Sequence, residues 1–195
     1  MNSNRKVLVL AECAIYVAMA VVLSLFTLFR MPLGGSVTPF ATLPIIIASL
    51  RHGSKWGIAT ALVFSLTQLL LGVSSIVAVP AKTLYAMVIC AVLDYIIPYS
   101  MLGFSGGIAK RFDRAVPGIV ASVLITGVMR LACSFLSGVL IWGVYAPEGW
   151  SVAYYSLIYN ATWCGPDVGI TLVVCVLLTR VKALRLAPER SAVNL

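Results

Sequence analysis

Three ionisable side chains, Asp94, Arg130 and Asp167, fall deep inside long apolar stretches, and Glu12 lies shallower in another. A charged side chain at the centre of an apolar span costs ~2.5–3.5 kcal/mol to insert. Each must therefore meet a compensating partner. For Asp94, near the middle of residues 83–109, the candidates are a cationic ligand, Arg130, or both. Buried ion pairs seldom offset their own desolvation, so a mutual Asp94–Arg130 pair kept for stability alone is the weaker reading. Charges at this depth face a bundle interior or a cavity and mark function by default.

The residues around them sharpen the chemistry. Arg130, Ser134, Gly138 and Trp142 recur every four residues, which places them on one slowly drifting helical stripe. Tyr155 and Asn160 open the last apolar stretch, and Asp167 follows Asn160 by two turns on the same face. Tyr95 and Tyr99 stand beside Asp94. A carboxylate pairs with an amino group or a positively charged ring. Indole and phenol faces stack on rings and attract cations, at ~0.5–2 kcal/mol each. Asn and Tyr hydroxyls fix orientation through hydrogen bonds. The ligand such a set suits is small, flat and partly cationic. Trp56, Tyr145 and Trp150 read instead as aromatics of the membrane interface.

The elements that carry these residues must be membrane helices. Hydrophobic residues make up 61% of the 195 and charged residues 10%, with a mean hydropathy of +1.04. A soluble domain is about 45–50% apolar and about 25% charged. The composition implies an all-α integral membrane protein, one transmembrane domain over residues 1–195. Six spans are expected, at 7–29, 38–50, 56–72, 83–109, 115–143 and 151–179. The second has only 13 residues and contains Pro39 and Pro44, so it should be short, tilted or broken. The N-terminal apolar run, with its basic start, admits a cleaved signal peptide but is long for the apolar region of one, and it reads as the first span.

The net charge of +8 is no nucleic-acid signature, because the basic residues lie in short clusters between apolar segments. With both termini in the cytoplasm, 11 of the 14 basic residues fall inside, from Arg5 and Lys6 to Lys182, Arg185 and Arg190. Arg30 and Lys82 fall outside, and Arg130 lies within the membrane. That split predicts an N-in, C-in arrangement. The polar groups gather in the outer half, so the cavity should open outward. His52 falls in an inner loop and reads as solvated. The five cysteines show no CxxC or metal spacing and read as small buried apolar residues. No phosphate-binding loop, dinucleotide fingerprint or HExxH is present. An enzyme is disfavoured for want of any His cluster, metal spacing or Ser/His arrangement. A self-sufficient secondary transporter coupled to ions through Asp94 or Asp167 stays open, although no internal repeat is visible.

The stretch RLACSFLSGVLIWGVYAPEGWSVAYYSLIYN, residues 130–160, resembles the signature region of the thiamine-specific substrate-binding components of energy-coupling factor transporters. AECAIYVAMAVVLS (11–24), LPIIIASLRHGSKWGIATALVFSLTQLLLG (43–72) and AVLDYIIPYSMLGFSGGIAK (91–110) are similar to further segments of that family, in the same order. The resemblance implies a six-helix subunit of the bacterial cell membrane with no ATPase or cofactor of its own. Such a subunit captures thiamine from outside with high affinity. It docks onto a transmembrane coupling protein that carries two ATP-binding-cassette ATPases, and it delivers the vitamin inward at the expense of ATP hydrolysed there. Residue by residue, the resemblance puts Asp94 where the family has an acidic ligand-holding residue, followed by Tyr95. Arg130 stands for a basic residue that is often Lys, and Gly138, Trp142, Tyr155 and Asn160 match pocket positions. Ala14 and Ala18, a small-xxx-small pair on the first span, match the docking face. Three positions depart. Ser134 stands where some members have a His, the loop at 30–37 lacks a Trp, and Pro147 replaces an aromatic. Each removes ring contact near the thiazolium end, which leaves a pyrimidine precursor or a related vitamin as the alternative ligand.

Overall fold

The computed structural model describes residues 3–32 and 35–181. Leu33 and Gly34 of the first outer loop, and Lys182, Arg185 and Arg190 of the C-terminal basic cluster, lie outside the described residues. Helix α1 (Ser3–Leu25) leads into a short antiparallel ladder, β1 (Phe29–Arg30) with β2 (Ser36–Val37), in which Phe29 pairs with Val37. Then follow α2 (Leu43–His52), α3 (Ser54–Leu71), the short α4 (Val73–Val77) and a long composite helix. The composite comprises α5 (Leu84–Cys90), a π-helical turn at Ala91–Ile96, α6 (Ile97–Met101), a 3-10 turn at Leu102–Phe104 and α7 (Ser105–Ala109). Two long helices close the chain, α8 (Ala115–Leu140) and α9 (Val152–Leu178), and they share the most extensive helix–helix packing.

Among the described residues five helices are long and apolar enough to cross a bilayer: Asn4–Leu25, Ser54–Leu71, Leu84–Ala109, Ala115–Leu140 and Val152–Leu178. The sixth expected span is the shorter Leu43–His52. It is helical only from Leu43, not from residue 38. Phe40 sits at φ 70, and Pro44 occupies the first turn, where a missing N–H is no loss. Gly53 at φ 84 ends it, its N–H bonded to the Ser49 carbonyl at 2.8 Å.

The helix faces are those of a protein dissolved in lipid. The buried positions of α8 include Gly118, Ser122, Thr126, Gly127, Arg130, Ser134, Ser137 and Gly138, while Leu124, Ile125, Val128, Leu136 and Leu140 are exposed. On α9 the buried positions are Ser156, Asn160, Cys164, Asp167, Thr171 and Cys175, with Leu157, Ile158, Val173 and Leu177 outside. Small and polar residues point inward and large apolar ones outward, because lipid tails solvate Leu as well as a protein core does. The all-α membrane architecture is therefore as the composition implied.

Ile45, Ile46, Ile47, Leu50, Phe64, Leu102, Ile119 and Val123 belong to the main apolar core, which extends toward the end that carries the basic clusters. Ser49 ties α2 to the composite helix: its Oγ donates to the Gly103 carbonyl at 2.6 Å and accepts from the Gly106 N–H at 2.9 Å. At the same end Glu12 of α1 meets Arg51 Nε at 3.1 Å and His52 Nε2 at 2.9 Å. His52 is thus not a solvated loop residue. It closes α2 with its side chain only 10% exposed.

Candidate functional site

The opposite end of the bundle encloses a cavity of about 120 Å³. One water takes ~10–15 Å³ on this scale, so the space holds on the order of ten waters. That suits a small ring-bearing molecule and excludes a peptide. Its walls come from the composite helix, α8, α9 and the loops between them. Cys90, Asp94, Tyr95 and Tyr99 line it from the composite helix. Ser134, Gly138 and Trp142 line it from α8 and the turn after it. Tyr155, Ser156, Tyr159, Asn160 and Trp163 come from α9, with Gly35 from the first outer loop, Ser36 from β2 and Ser75 from α4.

The local sequence explains how Asp94 reaches this wall. In an α-helix the residue at 98 would donate its N–H to the carbonyl of Asp94, but Pro98 has none and its ring crowds that carbonyl. The backbone widens into the π turn Ala91–Ile96, with Asp94 inside it. Wide turns of this kind recur at functional sites. The carboxylate is then held from the sides. Ser137 Oγ donates to Asp94 Oδ2 at 2.6 Å, and the Cys90 thiol approaches the same oxygen at 3.3 Å. The Trp142 indole also interacts with this carboxylate. Cys90 therefore does more than the space-filling that its sequence context implied.

Glycines bring the remaining walls close. A Cβ at Gly138 would collide with Ser156 Oγ and press on Asn160 Nδ2. Without one, Ser156 donates to the Phe135 carbonyl at 2.8 Å and Asn160 Nδ2 to the Ser134 carbonyl at 3.1 Å. The Tyr95 ring lies flush on Gly72, where a Cβ would strike it, and its hydroxyl donates to the Gly72 carbonyl at 3.4 Å. A Cβ at Gly35 would strike the Trp163 ring. The first outer loop has no tryptophan, yet it lies on one supplied by α9, and Trp163 Nε1 donates to Asn160 Oδ1 at 3.2 Å.

Of the sequence candidates, Asp94, Tyr95, Ser134, Gly138, Trp142, Tyr155 and Asn160 come together in this one cavity. Arg130 does not. It lies outside the lining, 4% exposed, and its partner is Asp167, not Asp94: Nη1 to Oδ2 is 2.8 Å. The two acids lie at comparable depth in the sequence, and the rotation of α8 toward α9 decides between them. Trp163, Tyr159, Ser156 and Ser75 were missed. Three of these were within reach of the periodicity, since 156, 159, 160, 163 and 167 fall on one face of α9. Ser75 belongs to α4, a helix of five residues too short to carry such a signal. Ala14 and Ala18 are both exposed on α1, and no residue of α1 lines the cavity.

Comparison with known proteins agrees with this architecture. The model of the thiamine transporter protein family (Thia_YuaJ) matches residues 10–186. The chain belongs to the thiamine transporter family. It is similar to the thiamine transporter ThiT of Bacillus subtilis, 33% identical over 91% of this chain and 93% of that protein. The ThiT of Lacticaseibacillus paracasei is 27% identical, over 92% of this chain and 90% of its own. A solved structure of ThiT from Listeria monocytogenes superposes with a TM-score of 0.74 at 24% identity, covering 94% of this chain and all of that one. As a member of the thiamine transporter family the chain is a multi-pass membrane transport protein and not an enzyme.

Proposed function

We propose that the cavity binds thiamine and that Asp94 holds its aminopyrimidine amino group. One observation carries the reading: Asp94 bears the only formal charge among the lining residues, since Arg130 is withdrawn and paired with Asp167. The cavity is thus anionic and walled by aromatic rings. Thiamine is a monocation with two flat rings, one of them a positively charged thiazolium. Trp142, Tyr155, Tyr159 and Trp163 offer π faces to such a cation, at up to ~2 kcal/mol each when desolvated. Asn160 and the Tyr95 hydroxyl supply directional hydrogen bonds. Phosphorylated thiamine suits this lining poorly, because no lysine or arginine lines it to meet the phosphate.

The protein then acts as the substrate-capturing subunit of an energy-coupling factor transporter. Thiamine enters from the outer side, and a coupling subunit with two ATP-binding-cassette ATPases drives its delivery into the cell. The exposed Ala14 on α1, with Ala18 one turn on, supplies a close-approach surface for the coupling helix-bearing partner. The decisive test is a tryptophan-fluorescence titration of the detergent-purified protein with thiamine, then with thiamine monophosphate and the hydroxymethylpyrimidine precursor. Saturable quenching by submicromolar thiamine, with weaker response to the phosphate, is expected. A response to the precursor alone would move the specificity to the pyrimidine. Silence to all three would sink the assignment.

A further inference from the structure

The Arg130–Asp167 pair lies outside the cavity yet touches two of its walls. Arg130 Cζ is 5.3 Å from the centre of the Tyr99 ring and 5.8 Å from that of Trp163. Both rings line the cavity, one from the composite helix and one from α9. Tyr99 is braced edge-on against Phe64 at 5.3 Å, and Trp163 is bonded to Asn160. Asp167 holds the guanidinium from α9, so one cation joins three helices at the edge of the site.

As a device for stability the pair is poorly made. Arg130 Nε and Asp167 Oδ1 are buried with no hydrogen-bond partner among the described residues. Buried pairs with unsatisfied atoms seldom offset their desolvation. As a device for fixing rings it is well made, because a planar guanidinium stacks on aromatic faces in a way a lysine ammonium does not. We propose that Arg130 is a positioning residue: anchored by Asp167, it fixes Tyr99 and Trp163 as one aromatic wall of the cavity and does not touch the ligand. This inference rests on the reading of the cavity as the ligand site.

The test compares Arg130→Met, Asp167→Asn and the double variant Arg130→Met/Asp167→Met. The double variant replaces both charges with apolar side chains, a change that buried pairs tolerate far better than the loss of one partner. The ligand-free protein is measured first, by near-ultraviolet circular dichroism, with Trp163→Phe identifying the Trp163 contribution. The double variant is expected to lose or shift that band while remaining folded. Thiamine affinity should fall by about tenfold in the double variant, the scale of a lost desolvated cation–π contact, and Asp167→Asn should fall with it. A double variant with wild-type spectrum and affinity would overturn the proposal, reducing the pair to packing. So would Arg130→Met that binds weakly beside Asp167→Asn that binds normally, because Arg130 would then reach the ligand itself. Should the double variant not fold, Arg130→Lys keeps the charge and Asp167 but loses the stacking plane. It should shift the same band and weaken binding, and wild-type behaviour in both would overturn the proposal. Wild-type protein that ignores thiamine would defeat the functional assignment, while the ligand-free spectra would still decide the role of Arg130.

Discussion

The two ends of this bundle use glycine for opposite purposes. At the end with the basic clusters, a Cβ on Gly103 or Gly106 would run into backbone: Ile58 and Gly57 for the first, the Ser49 carbonyl for the second. At the cavity end, a Cβ on Gly138, Gly72 or Gly35 would meet side chains instead, those of Ser156 and Asn160, Tyr95, and Trp163. Backbone against backbone leaves no room for adjustment and makes a rigid clamp. Backbone against side chain seats a wall residue without locking the helices together. One end is built to hold the bundle and the other to shape a space within it.

Substitutions that test this contrast should differ in kind as well as in size. Gly106→Val should have the largest effect. Overpacking costs ~1–3 kcal/mol or more, and here the obstruction is main chain that cannot turn aside. Thermal unfolding in detergent should show a large loss of stability or no folded protein, and a wild-type melting temperature would refute the clamp. Next comes Asp94→Asn, which keeps shape and can still accept from Ser137. Thiamine affinity measured by calorimetry should fall by more than about tenfold, ~1.4 kcal/mol, with the melting temperature little changed. Gly138→Ala should be milder. It displaces the Ser156 hydroxyl from the Phe135 carbonyl, a hydrogen bond worth ~1 kcal/mol, so stability should fall by about that much, and the shifted wall should weaken thiamine affinity by about fivefold. If stability collapses instead, Gly138 belongs with the rigid end. Smallest of all, Ala14→Phe with Ala18→Phe should leave thiamine affinity unchanged. Co-purification with the coupling subunit is where that double variant should fail, and recovery of the intact complex would remove α1 from the docking face.

The legible part of this molecule was its periodicity. Arg130, Ser134 and Gly138 mark the buried face of α8, and Asn160 and Asp167 that of α9, because in lipid the polar residues are the ones that must hide. Asp94 stood out on the cost of a buried charge alone. What the chain does not spell out is how one helix is rotated against the next, and so it could not say which acid Arg130 meets. His52 was misread for a similar reason: nothing near it in sequence announces Glu12, which lies on α1. The first outer loop has no tryptophan of its own, and folding lays one against it, Trp163, a residue distant in sequence that packs on Gly35. Pro98 did carry a readable signal, four residues past Asp94, in the hydrogen bond it denies.

That π turn has a consequence for how such a protein can change. Each residue added to a helix swings everything beyond it through about 100°. The helix from Leu84 to Ala109 must satisfy two fixed surfaces, the cavity at and around the turn and the glycine clamp beyond it. The widened turn at Ala91–Ile96 absorbs the mismatch in phase between them. It works as a clutch between two gears, so residues on the cavity side can be exchanged for a new cargo without re-cutting the teeth that hold the bundle together.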